Sequence, residues 1–265
     1  MIADLLLDRS AHPIIAHRGA SGLAPENTIA AFDLARSQGA DAFELDVRLT
    51  ADDVPVVFHD PTLERTTDLS GPIAGRTLLE LRRADAGARF TGGSAGSFPF
   101  RGQGVGIPTL AEVLERYPET PVIIELKTEA AAGPVKVELS RLGAGGRVVV
   151  ASFLGRAVAG FKAPPFRAGA CRRDIALLAL TAFLGLPPRS RGVSLYAVPV
   201  RYKDWIPVPT RRFVASAHRL GCPVHVWTVD DPDLAVELWD RGCSGMITNY
   251  PAPIIEARRR RESPT

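Results

Sequence analysis

Short apolar, β-branched runs alternate along this chain with stretches of helical period. The runs at 13–16, 42–47, 122–126, 147–152, 166–171, 192–196, 223–229 and 245–249 read as strands. Between them, 28–37, 110–116, 210–220 and 232–241 carry apolar residues at helical spacing. Asn27 is placed to cap the first of these helices, and Gly221 to close the third. Strands alternating with helices through short connections must run parallel. Eight such strands, closed on themselves, make an α/β barrel. A doubly wound open sheet is the second reading, weakened because no glycine-rich phosphate loop opens the first helix.

Two segments break the rhythm. Asp46 to Asp60 is too short for a crossover helix, so the chain must return antiparallel through a turn at Ala51-Asp52-Asp53. A turn centred between Asp52 and Asp53 pairs His59 with Asp46, and a slip of one residue would turn His59 to the other face. The second break, 61–108, is rich in Gly, Ser, Thr and Arg, with one helical stretch at 77–83. It is too long for an ordinary connection and reads as an insertion over the carboxyl end of the barrel. The expected organisation is therefore one barrel domain spanning 1–265.

Composition narrows the function classes. A length of 265 residues suits one α/β barrel, which takes about 250 residues. The net charge is only +3 and no basic stripe is interleaved with aromatics, which speaks against a nucleic-acid partner. The arginine run at 258–261 suits a solvated helix end. Cys171, Cys222 and Cys243 are odd in number and widely spaced, unlike a disulfide framework or a structural zinc site. The amino-terminal stretch carries Asp4 and Asp8 and no basic segment, so no signal peptide is expected. No apolar run approaches the roughly 18 residues of a membrane span, and a reducing cytoplasm is the expected compartment.

The candidate chemistry gathers where strands end. His17-Arg18-Gly19 closes the first strand; Glu44 and Asp46, two apart and so on one face, close the second. His59-Asp60 ends the hairpin return, and Glu125 and Lys127 end the strand at 122–126. Barrel enzymes work at this face. Three inward carboxylates repel one another unless a cation joins them, and oxygen ligands suit a hard divalent ion, magnesium or calcium. His17 and His59, facing that ion, fit general acid and general base. Arg18 is suited to grip a phosphate through paired N–H groups, and Lys127 to neutralise a phosphate oxygen. Trp227 shares an inward face with His225 and fits the wall of a pocket for the organic part of a substrate.

In order and spacing, His17-Arg18-Gly19, Pro25-Glu26-Asn27-Thr28, Glu44-Leu45-Asp46-Val47, His59-Asp60 and Glu125-Leu126-Lys127 resemble the glycerophosphodiester phosphodiesterase family. The likeness continues through Pro108-Thr109-Leu110, Ala151-Ser152-Phe153, Val226 to Val229 and Ile247 to Pro251, nearly the whole chain. It implies a TIM barrel with a small insertion after the second-strand hairpin. It also implies metal-dependent hydrolysis of glycerophosphodiesters to sn-glycerol 3-phosphate and an alcohol. By the same resemblance Glu44, Asp46 and Glu125 hold the divalent ion (Mg2+ or Ca2+), His17 acts as acid and His59 as base, and Arg18 and Lys127 hold the phosphate. The 25–28 turn is expected to support the site from behind. Asn249 stands where the family often has aspartate, a departure not expected to touch the chemistry.

Alternatives stay open at this point. The apolar stretch at 175–186 covers the barrel or forms a rim for an acyl chain, which would make a lysophospholipid the substrate of a lysophospholipase D. A cyclising phospholipase-type phosphodiesterase shares the two histidines. An enolase-type lyase or racemase would spread its ligands over successive strands and has no use for an early His-Arg-Gly. A non-catalytic binding module has no need to keep every one of these groups.

Overall fold

The computed structural model describes residues 4–92, 96–203 and 205–263. Its strands are, in chain order, β1 (Ile14–His17), β2 (Ala42–Leu49), β3 (Pro55–Val57), β4 (Val122–Leu126) and β5 (Val148–Ala151), followed by β6 (Tyr196–Pro199), β7 (Arg201–Tyr202), β8 (Ile206–Pro207), β9 (Val224–Trp227) and β10 (Gly245–Thr248). Seven of them form a parallel path in the order β5-β4-β2-β1-β10-β9-β6. The segment 167–170 closes the ring. Ala168 bridges β5 at Val150, and Gly169 bridges Leu195 just before β6, both parallel. This is the run expected at 166–171. It makes ladder bonds to both neighbours, such as Gly169 N–H to Val150 O at 2.9 Å and Ala170 N–H to Leu195 O at 2.9 Å, without becoming a regular strand. The architecture is a (β/α)8, TIM-type barrel.

Every barrel strand follows a two-residue alternation. Outward Phe43, Leu45, Val47, Ile124, Leu126, Val148 and Val150 are buried against the surrounding helices in one large core. Inward Ile15, Ala42, Ile123, Val149, Leu195 and Ile247 fill the barrel itself, and Leu6 of the first helix (Asp4–Leu7) plugs its amino end. Helices start where capping side chains accept free N–H groups. Thr28, not the expected Asn27, caps Ile29–Ser37 through its side-chain oxygen. Thr109 and Glu112 form a reciprocal capping box for Leu110–Arg116. Gly221 takes the left-handed conformation after Arg211–Arg219, as expected of a helix-closing glycine.

Two expectations are corrected in register. The strand placed at 192–196 runs Tyr196–Pro199, because Gly192 adopts φ +69°, a turn conformation no strand accommodates. The hairpin turn centres on Asp52 itself: Val47 pairs with Val57 and Arg48 with Val56, so Asp46 receives the N–H of Phe58 rather than facing His59. Asp53, at φ 58°, closes a three-residue loop, whose odd length shifts the pairing by one. His59 still reaches the mouth of the barrel, because the return strand ends at Val57 and alternation no longer governs the residues beyond it.

Segment 61–108 packs a small core of its own around Leu63, Ile73, Leu81 and Ile107, continuous with Val56 and Phe58 of the hairpin. Among its described residues the α-helix is Leu78–Leu81, inside the stretch expected at 77–83, with Thr77 and Glu80 as a capping box. The 251–262 helix is not simply solvated at its arginine run: Arg258 bonds Asp41 and the carbonyl of His12, and Arg261 bonds Asp240. Among the described residues no helix is long and apolar enough to cross a membrane.

Candidate active site

The carboxyl ends of the strands deliver the side chains. Because β1 and β2 pair His17 with Glu44, and β2 and β4 pair Asp46 with Glu125, the four inward groups stand on adjacent rungs. One carboxylate oxygen from each of Glu44, Asp46 and Glu125 lies within 4.8 Å of the others. His17, Arg18, Glu44, His59, Glu125, Lys127 and Trp227 all line one cleft of about 200 Å³. Asp46 lies beneath it, fully buried, in contact with Arg18 and Lys127. All eight side chains singled out from the sequence therefore converge on one mouth. Ala151, Ala170 and Ala197, small inward residues on the far strands, leave the room.

Sharp turns make this convergence possible. At the end of β1, Arg18 (φ 58°) and Gly19 (φ 82°) swing the chain across the barrel top. A side chain at position 19 would meet the Ala31 backbone at 2.6 Å, so only glycine fits the close approach. Asn27, left-handed at φ 58° and buried, sends its Nδ2 hydrogen to Asp46 Oδ2 at 2.8 Å. Asparagine tolerates that backbone conformation better than most residues, which joins the turn chemistry to the site.

Charge in the cluster is unevenly compensated. Lys127 Nζ bridges Asp46 Oδ1 (2.7 Å) and Glu125 Oε2 (3.0 Å), and Arg18 Nε lies 3.0 Å from Asp46 Oδ2. Burial alone would raise Asp46; Lys127 and Arg18 outweigh it and hold the carboxyl below its usual range. Glu44 has no such partner. Its burial, then the charges of Asp46 and Glu125, push its pKa well up. Its Oε2 is buried without a hydrogen bond among the described residues, 3.9 Å from His17 Nε2. Burial, with the charge of Asp46 adding to it, also raises Glu125. A buried acid without a donor, beside two other carboxylates, forms a group that could hold a divalent cation.

The two imidazoles are held differently. His17 Nδ1 lies 2.7 Å from Asn249 Oδ1. That amide is oriented by Asp230, which accepts from Asn249 Nδ2 at 2.7 Å, while Ser21 Oγ donates to the same Oδ1. An oxygen so placed only accepts, so His17 carries its hydrogen on Nδ1 and presents Nε2 to the cluster. Burial, helped by Arg18, lowers the His17 pKa. Asn249 is therefore part of the site, contrary to expectation, since the end of β10 lies beside the end of β1. His59 Nδ1 instead lies 2.6 Å from Asp60 Oδ1. Arg65, from 61–108, grips both carboxylate oxygens of Asp60 and both of Glu26, and Glu26 in turn accepts from Arg18 at 2.9 Å. Burial would raise Asp60, but Arg65 and His59 bring it down to about 2. Arg65, Asp230 and Ser21 were not picked out from the sequence; nothing in their local pattern distinguishes them from surface polar residues.

Trp227 stands edge-on to Phe153, centroids 6.0 Å apart, at the open side of the cleft. His225, two residues earlier on the same inward face, is buried at the other end. Its Nε2 lies 2.8 Å from the Leu6 carbonyl, and its Nδ1 accepts the Gly245 N–H.

Barrel and mouth together define the class, a phosphodiester hydrolase on a (β/α)8 scaffold. The chain belongs to the glycerophosphoryl diester phosphodiesterase family, whose model it matches over residues 17–159 and 168–252. YhdW of Bacillus subtilis is 36% identical over 251 residues, covering 92% of this chain and 96% of that protein. A glycerophosphodiester phosphodiesterase of Caldanaerobacter subterraneus is 32% identical over 256 residues, 93% and 98% of the two chains. A phosphodiesterase of Oleispira antarctica, solved in complex with the product sn-glycerol-3-phosphate, superposes with a TM-score of 0.72 at 28% identity, covering 93% and 96%.

Proposed function

We propose that the chain hydrolyses glycerophosphodiesters to sn-glycerol 3-phosphate and an alcohol, as a single barrel domain with 61–108 inserted at its carboxyl face. The observation that carries this reading is the mouth itself: three converging carboxylates, two imidazoles and two cations around one cleft. Glu44, Asp46 and Glu125 would hold a divalent ion, Mg2+ or Ca2+. Such an ion supplies charge neutralisation at a phosphate oxygen, where negative charge builds in the transition state.

The chain's own groups do the rest. Arg18 and Lys127 line the cleft beside the acids, suited to orient the phosphate and offset its charge. His17 presents an unprotonated Nε2 and takes the proton of the attacking group, either a water or the glycerol 2-hydroxyl, the latter giving a cyclic ester that a water then opens. His59, oriented by its Nδ1 contact with Asp60, returns a proton to the leaving alkoxide. These hydrogen bonds favour His17 as the base, the reverse of the role expected from the sequence. Trp227 and Phe153 wall the side on which the alcohol departs. Three unpaired, buried cysteines support a reducing compartment.

The test is the purified protein against a panel of glycerophosphodiesters, including glycerophosphocholine, and lysophosphatidylcholine, following glycerol 3-phosphate from the diesters and lysophosphatidic acid from the lysophospholipid, with and without chelator. Release from the diesters that stops in chelator and returns with Mg2+ or Ca2+ is the expected outcome. Full activity in chelator, or no release from any diester, would sink the reading.

A further inference from the structure

Six large apolar side chains that the fold leaves exposed, Leu23, Phe153, Leu154, Tyr202, Trp205 and Tyr250, stand on segments that follow the carboxyl ends of barrel strands. They ring the mouth. Tyr250 follows Asn249 and lies over Gly22, where even a Cβ would meet its ring at 2.3 Å. Phe153 faces Trp227 across the cleft edge. Tyr202 and Trp205 stand on the β7–β8 hairpin, whose base is tied to the mouth by the Val200 N–H bond to Trp227 O at 3.0 Å. Trp205, the tip of that hairpin, is 71% exposed. Soluble surfaces scatter such side chains; gathering them around one opening is not explained by a small polar substrate.

Among the described residues, the exposed charged side chains on the same segments are cations. Arg156, Arg201 and Lys203 are exposed beside these side chains, and the Arg172 guanidinium stands 5.5 Å over the Phe153 ring. Among the described residues Arg156 and Arg172 have no carboxylate within ion-pair distance. Glu26, on the turn after β1, is paired with Arg18 and Arg65. Aromatic residues with an apolar body and a polar edge, flanked by cations, suit the headgroup level of a bilayer.

We propose that the mouth face docks on the surface of an anionic phospholipid bilayer, with Tyr202 and Trp205 entering the headgroup layer and the four cations meeting lipid phosphates. This sets the cleft against the membrane, where diesters released from lipid or still carrying an acyl chain are concentrated. Cations near such a surface add electrostatic attraction that salt screens, so binding should fall steeply with salt.

The experiment is co-sedimentation of the full chain with vesicles of phosphatidylglycerol and phosphatidylcholine, against vesicles of phosphatidylcholine alone. The parent should bind the anionic vesicles, and Y202A/W205A and R201A/K203A should each bind at least roughly tenfold more weakly. Both variants should keep the parent's circular dichroism and its turnover of soluble glycerophosphocholine. No binding to anionic vesicles, equal binding to neutral ones, or unchanged binding by both variants overturns the proposal. Because binding is read without turnover, its failure is separate from failure of the hydrolytic reading.

Discussion

The two ends of the barrel use the same residue types to opposite effect. At the amino end, His225 is sealed by the first helix with both ring nitrogens engaged, and the inward residues around it are aliphatic. At the carboxyl end, His17 leaves one nitrogen free and Glu44 has a buried oxygen without a donor. A satisfied polar group stabilises the fold, whereas an unsatisfied one stores a cost that only a ligand or ion removes. The same strand alternation supplies both ends, so the difference lies in what each end is packed against. At the amino end a helix closes the barrel; at the carboxyl end turns and Arg65, bonded to Asp60 and Glu26, frame an opening.

Substitutions can separate the ends, beginning with the largest expected effect. Glu44→Ala should reduce kcat by at least about 10³-fold, the loss expected when several kcal/mol of charge stabilisation disappears. Its apparent affinity for Mg2+ or Ca2+, measured by calorimetry, should fall with it. Glu44→Gln should be equally inactive, yet in chelator its thermal midpoint at neutral pH should match or exceed the parent's, because a buried acid with a raised pKa has been neutralised. A lower midpoint would mean that the carboxylate is compensated in some way not described above.

Next comes the histidine pair. His17→Ala should cost on the order of 10³-fold in kcat with little change in urea stability. His225→Ala should do the reverse, losing about 3 kcal/mol of stability through a cavity and an orphaned carbonyl while keeping kcat per folded molecule. If both variants lose activity in proportion to stability, the division between the ends fails.

A smaller effect belongs to the outer network. Asp60 has a folded pKa of about 2 against an ordinary value of 3.8, so its contribution is present above 3.8 and lost as pH falls toward 2. The stability gap between the parent and Asp60→Asn should therefore be full at neutral pH and close across that acid window. The gap should stay under about 1 kcal/mol, because Arg65 is half exposed to solvent. Denaturation curves collected between those limits would show it, and a gap growing toward low pH would contradict the assignment.

Much of this molecule was readable in one dimension. The period-two runs placed eight barrel segments, and pairs such as Glu44 with Asp46 and Glu125 with Lys127 had to share a face because their spacing is two. The convergence of His17, Arg18, His59 and the acids followed from each ending a strand or a return. Other features had no local signature. The odd loop at 51–53 moved the hairpin register by one, and His59 reached the cleft only because β3 stops early. Arg65 and Asp230 look like surface charges until 61–108 and the turn after β9 fold over the mouth.

By itself, then, the chain determined its alternation, its parallel barrel and which acids and imidazoles lie at strand ends, since these depend on residue spacing along a regular backbone. Tertiary structure decided which nitrogen of His17 is free, which acid lacks a donor and how Asn249 joins β10 to the site. Those outcomes depend on partners more than two hundred residues away for His17 and Asn249, brought within hydrogen-bond reach only when the ring closes. Burial and hydrogen bonding are properties of neighbours in space, and no local pattern encodes them.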